Sequence, residues 1–359
     1  MKLDLNSSNG ISRENKIYTH FIIGTGIGHS IVNFSEKGKI SFVNATPIIY
    51  AHYIQQQLLN KDIQVDINNY MDCTVISFEF HVKQEFFEHY KNVYNTIVEY
   101  LNDSEINEQI LNKAISCAQE DVKFNFKNTE FRAILKFLEQ YDEYFDFDFK
   151  KIINDIWNFK KENIIVFAKE MMFHENITVN ISQDILNKDE LKRIQKRKEK
   201  FYYPTSNGQS RKKIITEESR NSDDYIGYLF YSSSFSGKEY EHSILLILGM
   251  YLYKGRFQIH STKKQIGILG KKIDLDKTIS YIQVTEEQFN NYIYQLRKSI
   301  EKLYLDDEKN FYETLAKLNG SNLRLDKILL NLKELGLDNF NTLLENSIIE
   351  NFEIHFKGV

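Results

Sequence analysis

The sequence predicts an α+β protein of two similarly ordered halves, each an antiparallel sheet covered by helices. First, alternating apolar residues, as in CTVISFEFHV (73–82), indicate half-buried strands. Second, IIYAHYIQQQLLNK (48–61) places apolar residues at helical spacing. Third, the order strand, helix, strands, helices occurs twice, as in a duplicated unit, and 359 residues suffice for two domains.

The first half, residues 1–187, is predicted to begin its fold with the strand IYTHFIIG (17–24). A helix from about 28 to 35 follows, and Pro47 suits the start of the next helix. The strands IQVDINNY (63–70) and CTVISFEFHV come next. Further helices are predicted at roughly 84–101, 105–122 and 129–140.

Residues 188–224 are predicted to form a charged linker, because Pro204, Gly208 and mixed charges occur there without a sustained apolar stripe. The second half, 225–359, repeats the order. Its predicted elements are the strand DYIGYLFYSSS (224–234), a buried helix (239–253), the strands QIGILGKKID (265–274) and TISYIQVT (278–285), and helices from 286 to the end.

Composition excludes several function classes. A net charge of −4 gives no general attraction to nucleic acid or anionic membranes. No apolar stretch is long enough to span a bilayer, and the N-terminus lacks the apolar core of a signal peptide. Cys73 and Cys117 show no CxxC spacing. We therefore expect a cytoplasmic protein with no membrane span and no nucleic-acid partner.

The stretch FIIGTGIGHSIVNF (21–34) is the main candidate for chemistry. A dinucleotide-binding loop needs three spaced glycines and an acidic residue on the next strand. Gly24 and Gly26 fit this spacing, but His29 stands at the third glycine position, and ISFVNATPIIY (40–50) contains no acid. The two strands after Pro47 also follow each other as in a hairpin. These departures argue against a nucleotide site.

The part GIGHSIVNF (26–34) resembles the Gly-Ile-Ala-His-Phe-Leu-Glu-His segment of the pitrilysin, or insulinase, peptidases. This inverted-zinc-motif family includes the mitochondrial processing peptidase. The resemblance continues through residues 39–80, which look like the family's helix and its two following strands, and through 223–270 in the second half. It implies the duplicated α+β halves of that family, joined by a linker.

In that family two histidines on one helix face bind zinc, and a glutamate between them polarises the attacking water. Mapped onto this chain, the resemblance leaves only the first histidine, His29. Val32 stands at the glutamate and Asn33 at the second histidine. The third ligand should fall near Leu111, and neither Glu108 nor Glu120 matches that position. The resemblance thus predicts a degenerate motif, with no zinc and no catalytic residue in this chain.

The second half also departs from the family. The arginine and tyrosine that bind the substrate carbonyl correspond to Ser261 and Ile268. Arg256 and Tyr253 lie nearby, and a shifted alignment would place them at the arginine and tyrosine positions.

Peptide binding can survive without zinc, because the family adds its substrate as a strand to a sheet edge through main-chain hydrogen bonds. The matching stretch comprises Ile67, Asn68, Asn69 and Tyr70. An ordinary hairpin end explains Asn-Asn equally well.

Three hypotheses follow. The first is a non-catalytic subunit that pairs with a homologous zinc-bearing peptidase, completes its chamber and holds the substrate peptide. A setting in which leader regions are trimmed from bacterial ribosomally made peptides, as in bacteriocin maturation, fits this role. The second is a divergent metallopeptidase that uses His29, His20 and Glu108 or Glu120. The third is a homodimeric peptide-binding module without protease activity.

Overall fold

A computed structural model describes residues 16–81, 86–141, 147–182, 193–204, 213–219, 222–231, 238–253, 255–262, 265–275, 284–346 and 348–358. The chain divides into two compact units. The first unit consists of Met1–Phe124, Tyr144–Ser206 and Glu308–Gly320. The second unit consists of Asn125–Glu143, Asn207–Asp307 and Ser321–Val359.

The described strands are β1 (Lys16–Ile23), β2 (Ile31–Phe34), β3 (Gly38–Ser41), β4 (Asp66–Asn69), β5 (Thr74–His81), β6 (Ile177–Ile181), β7 (Phe201–Tyr202), β8 (Ile214–Ser219), β9 (Asp224–Tyr231), β10 (Phe257–Ser261), β11 (Ile266–Lys271) and β12 (Ile348–Gly358). The described α-helices are α1 (Thr46–Leu59), α2 (Phe86–Asn102), α3 (Glu108–Asn125), α4 (Thr129–Leu138), α5 (Phe149–Trp157), α6 (Lys161–Met171), α7 (Lys238–Tyr253), α8 (Glu286–Asp306), α9 (Glu308–Gly320), α10 (Leu325–Glu334) and α11 (Leu337–Asn346).

The first unit contains an antiparallel sheet with the strand order β4-β5-β1-β6. Its centre is β1, which is buried almost throughout because helices cover both of its faces. Helix α9 packs on one face, where Tyr312 stacks on Tyr18 at 5.4 Å between ring centroids. Helix α2 supplies Tyr94 to the other face, 5.4 Å from Phe21. A second, three-stranded sheet has the order β3-β2-β7.

The second unit contains a five-stranded sheet with the order β10-β11-β9-β12-β8. All of its pairs are antiparallel except β12 with β8, which is parallel. Phe137 of α4 packs on this sheet, 6.2 Å from Phe352, over the bare backbone of Gly227.

The two larger sheets repeat one topology. In each, a central strand (β1 or β9) leads to a helix (α1 or α7), then to an edge hairpin (β4–β5 or β10–β11), then to helices and a last strand beside the central one (β6 or β12). The prediction of an α+β fold with duplicated, helix-covered sheets is confirmed. Among the described residues, no helix combines the length and the apolar character needed to cross a bilayer.

Two parts of the predicted linker 188–224 form strands instead. Phe201–Tyr202 pairs with β2, and Ile214–Ser219 pairs with β12. Short strands with exposed, charged side chains have the composition of a linker. Their backbone hydrogen bonds are made with strands distant in the chain, which composition does not reveal.

The units also differ from the predicted domain bounds. Asn125–Glu143 belongs to the second unit and Glu308–Gly320 to the first. In each case an amphipathic helix buries its apolar face on a sheet that is distant in sequence.

Two further element predictions are wrong. Residues 348–358 form β12 instead of a helix, and residues 31–34 form β2 instead of part of a helix from 28 to 35. In β2, Val32 and Phe34 are buried in alternation, the period of a strand. Gly38, with φ of +78°, closes the hairpin to β3. Most of the predicted strand 278–285 lies outside the described residues.

Candidate functional site

The glycine stretch has a packing role. A Cβ on Gly26 would lie 2.2 Å from the carbonyl oxygen of Tyr70 and 2.4 Å from that of Met71. The Ile27 and Gly28 amides donate to those same two oxygens, each at 3.0 Å. The stretch therefore runs directly against the turn that follows β4, and only glycine allows this approach.

His29 is held by local contacts. Its Nδ1 accepts a hydrogen bond from the Gly26 amide at 3.2 Å, and its ring stacks on Tyr203 with 3.7 Å between centroids. Val32 is fully buried and Asn33 pairs with Tyr202 across the β2–β7 ladder. A zinc motif with ligands four residues apart needs a helix. Because Val32 and Asn33 lie in β2 and His29 lies just before it, outside any helix, the three residues do not have the geometry of such a motif.

The residues of the metallopeptidase hypothesis are not brought together. His20 lies buried in β1, where its Nδ1 shares a hydrogen bond with Ser77 Oγ at 2.8 Å. Burial, with a smaller effect from the Lys309 ammonium, lowers the pKa of His20 to about 4. Glu108 binds Lys161 at 2.6 Å. Within the described parts of the chain, no group of three or more His, Cys, Asp or Glu side chains is arranged to hold a metal ion.

In the second half, a shifted alignment does not place Tyr253 and Arg256 in the roles of the family's tyrosine and arginine. Tyr253 is buried, and its hydroxyl donates to the Ile226 carbonyl oxygen at 2.7 Å. Burial raises the pKa of Tyr253 well above its ordinary value. Arg256 is largely exposed and binds Asp274 at 3.2 Å. Ser261 bonds His242, and Ile268 is fully buried in β11.

The predicted peptide-binding residues lie at a sheet edge. Ile67, Asn68 and Asn69 belong to β4, which is the edge strand of its sheet. The Tyr70 amide donates to the Cys73 carbonyl oxygen at 2.8 Å. From this pair, the alternation of an antiparallel ladder directs the main-chain N–H and C=O of Ile67 and Asn69 away from β5. Both groups point to the outer side of β4.

The open part of this edge is short and has defined ends. Gln55 Nε2 donates to the Val65 carbonyl oxygen at 2.9 Å before β4 begins. The Ile27 amide occupies the Tyr70 carbonyl oxygen after β4 ends. Tyr70 thus uses both main-chain groups within the chain. The outer edge of Asp66–Asn69 spans about 13 Å, and no described strand pairs with it.

A cleft of about 450 Å³ runs along this edge. Helix α1 contributes His52 and Gln55, α3 contributes Cys117, Glu120 and Asp121, and α9 contributes Glu313. Asp66, Ile67 and Asn68 of β4 complete the lining. Three consecutive residues of the edge strand β4 thus line the cleft together with residues of three helices.

The cleft is acidic, and its only lining imidazole among the described residues is that of His52. His52 is buried, with Nε2 at 3.1 Å from Asp121 Oδ2 and Nδ1 at 3.3 Å from Gln55 Oε1. Lys309 neutralises Asp66 at 2.6 Å. His52 was missed by the sequence analysis. The sequence did contain a signal for His52, because this histidine lies on the helix predicted after Pro47. His29, by contrast, lies outside any helix.

Solved structures establish the fold. An M16-like peptidase from Alicyclobacillus acidocaldarius superposes with a TM-score of 0.67 at 11% identity, over 96% of this chain and 94% of that one. A peptidase M16 inactive domain from Pseudomonas fluorescens superposes with a TM-score of 0.59 at 9% identity, over 96% and 94%. The chain has the M16 peptidase fold.

The M16 fold also matches the periplasmic protease PqqL from Escherichia coli, with a TM-score of 0.60 at 11% identity. That match covers 97% of this chain and 44% of PqqL. The sequence itself matches no protein-family model and no curated protein. At such low identities the M16 likeness concerns the fold, and the chemistry has to be argued from the side chains of the cleft.

Proposed function

We propose that this protein is a non-catalytic M16-fold subunit that binds an extended peptide along β4. The observation that carries the proposal is the outward main-chain edge of Ile67–Asn69 beside the 450 Å³ cleft. A peptide in strand conformation satisfies such an edge with its own N–H and C=O groups, largely independent of its side chains. The protein would bind the substrate and leave hydrolysis to another chain.

The side chains of α1 favour a binding role over catalysis. The inverted motif His-x-x-Glu-His needs a helix, and α1 is the cleft-lining helix that carries a histidine. With His52 as the second histidine, the first corresponds to Ile48 and the glutamate to Ala51; with His52 as the first, the glutamate corresponds to Gln55 and the second histidine to Gln56. None of these four side chains offers an imidazole to zinc or a carboxylate to a water. On either alignment His52 is the one ligand-type side chain of the motif that remains, and the zinc of the active complex would lie in the partner subunit.

The proposed partner is a homologous zinc-bearing subunit. A chain that matches 44% of PqqL corresponds to about half of that protease. The Pseudomonas fluorescens structure is of an M16 inactive domain, so the fold occurs without activity. Pairing of an inactive with an active half, in the cytoplasm and on a leader-bearing peptide, is our preferred arrangement. A homodimeric peptide-binding module is the competing one.

The edge is tested with Ile67→Pro. Proline removes the outward amide of Ile67 and is tolerated on edge strands. We expect at least about a tenfold loss of affinity for acetylated, alternating Thr–Val peptides, measured by fluorescence anisotropy, because a main-chain hydrogen bond disappears. Ile67→Val keeps the amide and should bind like the wild type. Equal binding by Ile67→Pro, with an unchanged circular dichroism spectrum, contradicts the proposal.

The division of labour is tested on the isolated chain and on its complexes. The isolated chain should not hydrolyse the peptides with zinc added, and a chelator-sensitive peptidase activity contradicts a non-catalytic role. Affinity purification from source cells should retain a stoichiometric protein of similar size with an intact His-x-x-Glu-His. Purification of the chain as a stable dimer of itself favours the homodimeric module.

A further inference from the structure

One face of helix α9 runs along the edge strand β4. Lys309, Glu313 and Lys317 follow one another at intervals of four residues, so they lie on the same face of the helix. Lys309 binds Asp66 at the start of β4, and Lys317 lies over the ring of Tyr70, the residue that follows β4. Eight residues of helix and four of strand both span about 12 to 13 Å. This face of α9 therefore follows β4 from one end to the other.

The two lysines of this face differ in their partners. Lys309 binds Asp66 at 2.6 Å and also interacts with the Glu313 carboxylate. Lys317 makes no ion pair or hydrogen bond with the residues that the structure describes. Its ammonium contacts an aromatic ring instead, with Nζ 5.4 Å from the centre of the Tyr70 ring. The cation at the Tyr70 end of β4 thus lacks a carboxylate within the described chain.

Lys317 is half-buried because its neighbours on α9 pack on the sheet. Ala316 belongs to the apolar cluster around Cys73, and a Cβ on Gly320 would lie 2.2 Å from Cys73 Sγ. Burial lowers the pKa of the Lys317 ammonium, and the nearby Cys73 offsets this only in part. Burial raises the pKa of Tyr70, so the phenol keeps its proton and does not neutralise the lysine. The ammonium has lost water without gaining an anion.

A carboxylate is the group that suits this position. It accepts charge-assisted hydrogen bonds from the three N–H donors of an ammonium, whereas a neutral amide leaves the positive charge uncompensated. A peptide strand that pairs with Ile67 and Asn69 passes toward Tyr70 at one of its ends. A parallel strand brings its C-terminus to that end of β4, and an antiparallel strand brings residues near its N-terminus.

We propose that Lys317 binds a carboxylate of the bound peptide at the Tyr70 end of β4. The carboxylate is that of the free C-terminus or of one Asp or Glu side chain. This inference rests on the proposed function, because the edge of β4 places the peptide. It adds a specificity to main-chain pairing: one end of the bound strand carries a negative charge. Lys317 is then a specificity-determining residue.

The test uses acetylated seven-residue peptides of alternating Thr and Val, which compete with a labelled peptide in fluorescence anisotropy. An amidated series carries glutamate at each position in turn, and glutamine at the same position is the neutral match. A further pair differs only in a free or an amidated C-terminus. In one of these comparisons we expect the carboxylate to bind about tenfold more tightly, the size of a charge-assisted hydrogen bond. A glutamate preference assigns a side chain, and a preference for the free C-terminus assigns the peptide terminus.

Variants of Lys317 show whether this preference depends on its charge. Lys317→Met keeps an unbranched side chain beside Tyr70 without the ammonium, and the preference should fall to about one. Lys317→Arg keeps the charge and should keep the preference. Lys169→Met is the matched control, because Lys169 is exposed on α6 in the same unit and does not line the cleft. The preference should persist in this control, which separates a local site from the net charge of the protein.

Three results overturn the inference. Equal binding of every carboxylate peptide and its neutral match, with loss of both in Ile67→Pro, removes the Lys317 site and leaves the edge proposal intact. A preference that persists in Lys317→Met assigns the carboxylate to another cation. No binding of any peptide removes both proposals.

Discussion

The two large sheets share a strand order but differ at their edge strands. Beside β4 lies an acidic cleft in which Glu120 lacks an ion pair within the described chain. Beside β10, the charges are paired: Arg256 binds Asp274 at 3.2 Å and Lys271 lies 3.4 Å from Asp223. Helix α7 also approaches β10 closely, with Gly249 against the Phe257 ring.

This difference shows that a duplicated topology does not carry a duplicated site. Both halves supply a central strand, a helix with a histidine and an edge hairpin. His242 of α7 shares a hydrogen bond between its Nδ1 and Ser261 Oγ at 3.0 Å, whereas His52 Nε2 lies 3.1 Å from a carboxylate oxygen of Asp121. The two edges therefore differ in their side-chain charges: those named above beside β10 are paired, whereas Glu120 beside β4 has no ion pair in the described chain.

The largest effect is expected where the first edge is anchored. In Gly26→Ala the new Cβ meets three backbone atoms of the turn after β4, at 2.2 to 2.5 Å. These backbone atoms cannot avoid the new Cβ by a side-chain rotation. We therefore expect the unfolding free energy, measured by urea denaturation, to fall by about 3 kcal/mol or more.

Two control variants calibrate this measurement. Gly249→Ala meets only a rotatable ring and should cost less, and Gly336→Ala, with no atom within 4 Å, should be near neutral. Equal costs for Gly26 and Gly249 would remove the distinction between the two edges.

The second prediction concerns charges inside the second unit. The buried Arg132 guanidinium bonds Glu217 at 2.9 Å and the Glu218 carbonyl oxygen at 2.7 Å. Arg132→Ala removes the nearer of the two cations beside Glu217, leaving Lys136 at 3.4 Å, and it also removes the donor to the Glu218 carbonyl oxygen, so we expect a loss of about 3 kcal/mol. Arg256→Ala, which breaks a largely exposed pair, should cost below about 1 kcal/mol. Similar losses in the two variants, by chemical denaturation, would show that burial does not set the value of these pairs.

The third prediction concerns the pH dependence of the first sheet. The folded-state pKa of His20, about 4, lies below the ordinary histidine value of 6.5 because the ring is buried. Between these values the unfolded chain binds a proton that the folded chain does not. Stability is therefore retained above pH 6.5 and falls as the pH is lowered toward 4, by at most about 3 kcal/mol.

The variant His20→Gln removes this proton linkage. Its loss of stability between about pH 7.5 and pH 4.5 should be about 2 kcal/mol smaller than that of the wild type. Parallel pH profiles of the two proteins in thermal or urea unfolding would contradict the burial of a neutral His20.

The smallest effect is expected in the cleft itself. Glu120 is exposed and has no ion pair in the described chain, so Glu120→Gln should change the unfolding free energy by no more than about 0.5 kcal/mol. Glu120 lines the cleft beside the proposed peptide-binding edge. A large destabilisation in calorimetry would indicate that Glu120 supports the fold.

The sequence alone determined the α+β class, the duplication and most helices, because these depend on local periodicity. Helix α1 after Pro47 and the strand β5 were predicted from spacing within a few residues. Residues 67–69, proposed to bind peptide, were also placed on a strand, since alternation and the hairpin turn are local signals.

Only the tertiary structure decided which residues share a site. His52, Glu120 and Glu313 are far apart in the chain and meet because α1, α3 and α9 pack around one sheet edge. The strand nature of β2 and the pairing of β7 and β8 likewise depend on partners that local periodicity does not name. Short segments have too little local preference to choose a structure, so long-range pairing makes that choice.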